Sequence, residues 1–161
     1  GSEQFKMRQS VLFVCMGNIC RSPAAEGVFR ALVDEAGISD HFHIDSAGTI
    51  GYHAGHAADS RMRAAASGRG YALDSRARRV ELDDFEKFDL IVAMDDDNFR
   101  DLSGMDRGQG ARLVRMCDYG GRHGFPEVPD PYYGGPQGFE TVLDILEDAC
   151  AHLLEELRPG R

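Results

Sequence analysis

The chain has no apolar run approaching the roughly 20 residues that a helix needs to cross a bilayer, so no membrane partner is expected. It shows no secretory leader: Gly1 to Lys6 is polar and reads as a cloning remnant before a native start at Met7. It has only four cysteines, none at zinc-finger spacing, so neither a disulfide framework nor a structural zinc is expected. Reduced thiols and the missing leader suit a cytoplasmic protein. Positive charge is scarce as well. Lys and Arg number 18 against 27 Asp and Glu, a net charge of −9, which argues against nucleic acid as a partner. An acidic chain that binds an anion must build its positive potential locally. No internal repeat or low-complexity segment is visible.

What is present is ordinary globular material. The 161 residues are 42% hydrophobic and 28% charged, enough for one domain with a substantial core, expected over residues 7–161. The organising stretch is VLFVCMGNICRSPAAEGVFR, residues 11–30. Val11 to Val14 reads as a buried strand. Cys15 to Arg21 reads as a tight loop centred on Gly17 and Asn18, residue types that tolerate left-handed backbone angles. Ser22 is a good N-cap and Pro23 a good first helical residue. Val28, Phe29, Leu32, Val33 and Ala36 then recur at helical spacing, and Gly37 ends the helix. Loop N–H groups and a helix N-terminus therefore converge on one point, a ready anion site.

The loop's side chains suggest chemistry. A thiol at Cys15, facing N–H donors, a helix N-terminus and a guanidinium, is favoured as the thiolate nucleophile. Arg21 offers a planar, permanently charged fork that matches two phosphate oxygens. Ser22 is placed to hydrogen-bond the thiolate. Together they predict a nucleophile attacking a bound phosphoryl group held in line by Arg21 and the loop amides of Met16, Gly17, Asn18, Ile19 and Cys20. Such a mechanism needs neither metal nor cofactor.

The run Cys15-Met16-Gly17-Asn18-Ile19-Cys20-Arg21-Ser22 resembles the phosphate-binding loop of the low-molecular-weight protein tyrosine phosphatases. Asp130-Pro131-Tyr132-Tyr133-Gly134 resembles that family's second motif, which carries the general acid. Asp45-Ser46-Ala47-Gly48 and residues 88–98 extend the likeness over nearly the whole chain after Met7. The resemblance implies hydrolysis of phosphotyrosine in proteins, and of small aryl phosphates, through a phosphocysteine at Cys15, with inorganic phosphate as product and inhibitor. It implies that Asp130 protonates the leaving phenolate, that Asn18, Ser46 and Asp95 support the loop, and that Tyr52, Tyr132 and Tyr133 line the substrate cleft. It further implies that the two adjacent tyrosines are open to phosphorylation, and that Cys20 protects oxidised Cys15 by forming a disulfide with it.

The rest of the chain supplies the scaffold. Phe42 to Ser46 reads as a second strand, followed by a glycine-rich loop, Ala47 to Asp59, on the ligand side of the sheet. His53 and His56 in that loop read as solvated. Asp59 caps a helix through Ser67. Arg78 and Arg79 read as solvated charge. Asp89 to Met94 is a third strand, and Asp95-Asp96-Asp97-Asn98 caps a short helix rather than holding a cation. Arg112 to Met116 is a fourth strand, and Phe139 to Leu157 a last helix with one apolar face. Strands alternating with helices predict a parallel α/β sheet covered on both faces. The resemblance specifies four strands in a flavodoxin-like three-layer sandwich.

Three other functions compete. Arsenate reduction uses a C-x5-R loop but needs further cysteines beside it, and Cys117 and Cys150 sit in strand-end and helix-core contexts. Phosphoarginine hydrolysis within the same family goes with threonine where this chain has Ile19. A non-catalytic phosphate-binding module has no use for both Cys15 and Asp130.

Overall fold

The computed structural model describes residues 8–158. The proposed cloning remnant and the start at Met7 lie outside the described residues, as does the end of the proposed domain. Four strands, β1 (Gln9–Cys15), β2 (Phe42–Gly48), β3 (Leu90–Ala93) and β4 (Arg112–Arg115), form one sheet in the order β2-β1-β3-β4. Every pairing is parallel, as the alternation of strand and helix patterns predicts. The helices between them are α1 (Arg21–Glu35), α2 (Ser60–Ser67), α3 (Asp84–Lys87) and α4 (Asp96–Met105); α5 (Pro136–Leu157) closes the fold.

The sheet is buried on both faces, which is why β1 and β3 read as continuous apolar runs. Alternate residues of β1 point to opposite cores. Val11 and Phe13 pack with α1, α2 and α5, where Phe29 meets Phe13 and Phe42 edge-on at centroid distances of 5.7 and 5.4 Å. Leu12 and Val14 pack on the other side with Phe85 and Phe88 around α3 and with Leu102 of α4. Because β1 lies inside the sheet, with β2 on one side and β3 on the other, its C-terminal end is the point where strand order reverses. Parallel sheets bind ligands there, and Cys15 is its last residue.

Three details depart from the sequence expectations. Helix α1 starts at Arg21, with Cys20 as a cap residue that makes no side-chain cap bond, so neither Ser22 nor Pro23 plays its expected terminal part. Helix α5 starts at Pro136, three residues early, with proline in its first turn where a missing N–H costs nothing. The four-residue α3 was not anticipated; too short for a periodic pattern, it exists by packing Phe85 into the core. Asp59 and Asp95 cap α2 and α4 as expected, accepting bonds from the backbone N–H groups of Arg61 and Met62, and of Asn98. No helix among the described residues is long and apolar enough to cross a membrane.

Candidate active site

The loop between β1 and α1 is held from outside by its own carbonyls. The carbonyl of Cys15 accepts from Thr49 N–H at 2.9 Å, that of Met16 from Ile50 at 3.1 Å, that of Ile19 from Asp59 at 2.8 Å and that of Cys20 from Ala24 at 3.1 Å. No peptide bond here is cis. In a trans peptide the N–H points opposite to the carbonyl, so the N–H groups of Met16, Gly17, Cys20 and Arg21 turn away from these outer partners, toward the concave side. The uncapped start of α1 leaves its first N–H groups open beside them.

Two residues permit the bend. Asn18 takes the left-handed conformation at φ 58°, the single described non-glycine residue to do so. Gly48, paired with Cys15 across the sheet, lies so close beneath the loop that a Cβ there would sit 2.6 Å from the Met16 carbonyl oxygen. Gly17 has an ordinary φ; what it lacks is space, since its Cβ would come within 3.1 Å of the His53 ring.

A buried chain of hydrogen bonds runs beneath the loop. Asn18 Nδ2 donates to Ser22 Oγ at 2.8 Å and to Ser46 Oγ at 3.0 Å, and Asn18 Oδ1 accepts from the Arg78 backbone N–H at 3.0 Å. Ser46 Oγ donates to Glu26 Oε1 at 2.7 Å, and Arg30 donates to Glu26 Oε2 at 2.8 Å. The carboxylate at one end can only accept. That fixes the direction of every bond: Ser46 gives its proton to Glu26, takes one from Asn18, and Asn18 gives its second to Ser22. The Ser22 proton is left for the Cys15 Sγ at 3.1 Å or the Ala47 carbonyl at 3.3 Å. The Asn18 backbone N–H donates to the same sulfur at 3.3 Å.

Arg21 is buried, with 3% of its surface exposed. Its Nη1 donates to Asp95 Oδ2 at 2.6 Å and to the Val128 carbonyl at 3.1 Å. Its Nη2 lies 3.8 Å from Asp130 Oδ2. Burial alone would weaken its hold on the proton, but the Cys15 sulfur and Asp95 outweigh burial and the pKa rises. Asp95 thus serves twice, capping α4 through one oxygen and gripping Arg21 through the other. Asp96 and Asp97 turn elsewhere, to Arg115 and Arg100, so the three consecutive carboxylates do not converge. Among the described residues no three His, Cys, Asp or Glu side chains form a metal-binding group.

Cys15, Met16, Gly17, Ile19, Cys20, Arg21, Tyr52, Asp130, Tyr132 and Tyr133 line one cleft, joined by Ile50 and His53. Asn18, Ser22, Ser46 and Asp95 stand behind it as supports. Asp130 Oδ1 accepts from the Tyr132 N–H at 3.0 Å, and its Oδ2 is the oxygen nearer Arg21. Tyr132 is half-buried, with the Arg61 guanidinium 5.3 Å from its ring centroid, whereas Tyr52 and Tyr133 are 81% and 92% exposed at the mouth. Cys20 is buried, and burial first, then the Asp59 carboxylate and the Cys15 sulfur, push its thiol well above the ordinary value.

Four contributors were absent from the sequence reading or misread in it. His53 is a cleft wall, its ring 4.8 Å from that of Tyr52 and 6.5 Å from that of Tyr132, not a solvated loop residue. Arg78 is not solvated charge: besides its N–H bond to Asn18, its side chain pairs with Asp45 and Asp84, each at 3.1 Å. Glu26 was visible as a carboxylate one helical turn after Ser22, and it is buried. Val128 acts through its carbonyl alone, which no side-chain pattern reveals.

A C-x5-R loop at the switch point of a parallel sheet, with its cysteine and a buried arginine on one cleft, has the form of a binding site for a phosphate ester. The sequence model of the low molecular weight phosphotyrosine protein phosphatase family matches residues 10–160. A relative from Synechocystis sp. is 52% identical over 149 residues, covering 91% of this chain and 95% of its own. The low molecular weight protein-tyrosine-phosphatase of Streptomyces coelicolor is 45% identical over 156 residues, covering 94% and 95% respectively. The crystal structure of a protein tyrosine phosphatase from Entamoeba histolytica superposes with a TM-score of 0.91 at 46% identity, covering 94% of this chain and 98% of that one. The chain belongs to the low molecular weight phosphotyrosine protein phosphatase family. It is a protein tyrosine phosphatase, a hydrolase acting on phosphoproteins.

Proposed function

We propose that Cys15 is the nucleophile, Arg21 the phosphate clamp and Asp130 the general acid and base. The observation that carries this reading is the sulfur held by Ser22 and the Asn18 N–H in a cleft that Arg21 and Asp130 also line. The sulfur's lone pair attacks phosphorus as the ester P–O bond breaks, and the phenolate leaves with the proton of Asp130. The loop amides and Arg21 hold the three equatorial oxygens, whose charge must be stabilised throughout. Asp130, now a carboxylate, takes a proton from water as that water displaces the sulfur. Inorganic phosphate is released, and as a ligand of the same loop it competes with substrate. Ser22 donates a hydrogen bond to the departing thiolate, and Asn18, Ser46 and Asp95 hold the loop and the fork in place.

Tyr52, Tyr132 and Tyr133 supply ring faces for a phenyl group, which favours phosphotyrosine over smaller phosphate esters. Ile19 at the loop's centre favours it over phosphoarginine. Arsenate reduction lacks its relay: Cys150 is buried in α5 and Cys117 sits beyond β4, neither on the cleft. Peroxide would convert Cys15 to a sulfenic acid. Attack by the Cys20 sulfur, with loss of water, would then close a disulfide and guard the nucleophile. A cytoplasmic setting keeps both thiols reduced between such events.

The test is a series of aryl phosphates of graded leaving-group acidity, assayed with chelator present. Wild-type turnover should depend weakly on the leaving group, Asp130→Asn should turn over slowly with a steep dependence, and Cys15→Ser should be inactive. Activity that survives Cys15→Ser would refute the assignment.

A further inference from the structure

The segment after Ala77 adds a short edge to the sheet beyond β2. Gly48 N–H donates to the Arg78 carbonyl and Val80 N–H to the Gly48 carbonyl, both at 2.8 Å, so Gly48 and Arg79 pair as parallel neighbours. Gly48 also pairs with Cys15. Cys15, Gly48 and Arg79 therefore form one row across the ligand end of the sheet. Two strand spacings put the Arg79 Cα roughly 10 Å from that of Cys15. Residues in one row share a face, and the burial pattern agrees: Val80, next along, is buried with the opposite core. Arg79 thus stands on the nucleophile's side of the sheet, exposed.

Its stem runs along the loop that walls the cleft. A Cβ at Gly51 would lie 3.7 Å from Arg79 Cδ, and Gly51 sits between Ile50 and the cleft residues Tyr52 and His53. Arg76 lies three residues earlier in the same segment, in an isolated antiparallel bridge to Ala57 of the loop after β2, and its guanidinium donates to the Gly55 carbonyl at 3.4 Å. Among the described residues neither guanidinium forms an ion pair. Their neighbour Arg78, by contrast, is neutralised by Asp45 and Asp84. On the opposite rim Arg61 is neutralised by Asp59 at 2.9 Å. The cleft mouth therefore has one side with uncompensated positive charge, on a chain whose net charge is −9. Distant like charges are screened beyond a Debye length of about 8 Å, so the local cations dominate what an arriving peptide meets.

We propose that Arg79, with Arg76 beyond it, forms a docking rim for an acidic residue flanking the phosphotyrosine of a protein substrate. The proposal rests on the phosphotyrosine reading above and adds to it a preference among phosphoproteins. The rim acts on binding of the flanking segment and touches no reacting atom, so a small aryl phosphate does not feel it.

The test compares phosphotyrosine peptides flanked on both sides by glutamate, alanine or lysine, at low and high salt, with a small aryl phosphate as reference. Exposed ion pairs are weak, so the glutamate peptide should exceed the alanine peptide by about two- to tenfold in kcat/KM, mainly through KM. High salt should erase the preference. Arg79→Gln should lose most of it and Arg76→Gln less, both with unchanged aryl phosphate turnover, and Arg79→Glu should favour the lysine peptide. Equal use of the three peptides by the wild type, or a preference that survives the double Gln variant, would overturn the rim while aryl phosphate turnover stays normal. Loss of aryl phosphate turnover in the wild type would instead overturn the catalytic reading, and the rim with it.

Discussion

Asn18 is where the hydrogen-bond chain and the loop's backbone strain meet, and two substitutions separate them. Asn18→Gly removes the side chain but keeps the left-handed backbone at no steric cost. It deletes the bonds to Ser22 at 2.8 Å, to Ser46 at 3.0 Å and from the Arg78 N–H at 3.0 Å. At about 1 kcal/mol per buried hydrogen bond, the expected loss is roughly 3 kcal/mol of stability. Asn18→Ala makes the same deletion and adds about 1–2 kcal/mol for holding φ near 58° with a Cβ. Activity should fall in both by about 10- to 100-fold, because the Ser22 proton is no longer steered to the sulfur and the loop loses its internal brace. Urea unfolding gives the stabilities, and aryl phosphate turnover gives the activities. A glycine variant within about 0.5 kcal/mol of wild type would refute the network as a structural brace. An alanine variant as stable as the glycine one would refute the strain argument.

Three further outcomes follow from the same geometry. Gly48→Ala places a methyl 2.6 Å from the Met16 carbonyl oxygen, a backbone atom that cannot swing aside, so the phosphate loop must shift; kcat/KM should fall by about tenfold or more while the protein stays folded by circular dichroism. Closure of the Cys15–Cys20 disulfide after peroxide should be slow at neutral pH and accelerate as pH rises, because the buried Cys20 thiol holds its proton; quenching with a thiol-blocking reagent at intervals reads the rate, and a rate independent of pH would contradict the burial argument. Asp148 tethers residues 122 and 123 to α5. Its burial is outweighed by the backbone N–H groups of His123 and Arg122, each at 3.0 Å, so its carboxyl lies below the ordinary 3.8. A depressed carboxyl stabilises above its unfolded pKa and loses that contribution as pH falls through the folded value. The stability gap between wild type and Asp148→Asn should therefore be full at pH 6 and shrink below about pH 4 in urea titrations; a gap that persists unchanged at pH 3 would contradict it.

The loop was legible because it is local. Strand, loop and helix start occupy consecutive residues, so Cys15, Arg21 and the amides between them announce their meeting without any knowledge of the fold. Asp130 lies on the cleft, where the likeness of its stretch to the family's second motif put it. What escaped depends on the sheet's register and on chain crossings. Arg78 reaches Asn18 across 60 positions because the segment after Ala77 docks beside β2, and no periodicity encodes that docking. His53 becomes a wall because the loop after β2 folds back over Gly17. Ser22 carried a genuine N-cap signature, yet its hydroxyl serves the sulfur and the helix begins one residue earlier without a cap. The local rule yields at the residue where an uncapped helix end is useful to an anion.

The most direct test of the central claim is to trap the covalent intermediate. Asp130→Asn is mixed with an aryl phosphate, quenched in acid within the first turnover, digested and examined by mass spectrometry. The account predicts one phosphoryl group on the peptide that contains Cys15, bound through sulfur, and none on Cys15→Ser treated alike. A phosphoryl group on any other residue, or first-turnover phenol release with no phosphoenzyme formed, would contradict it.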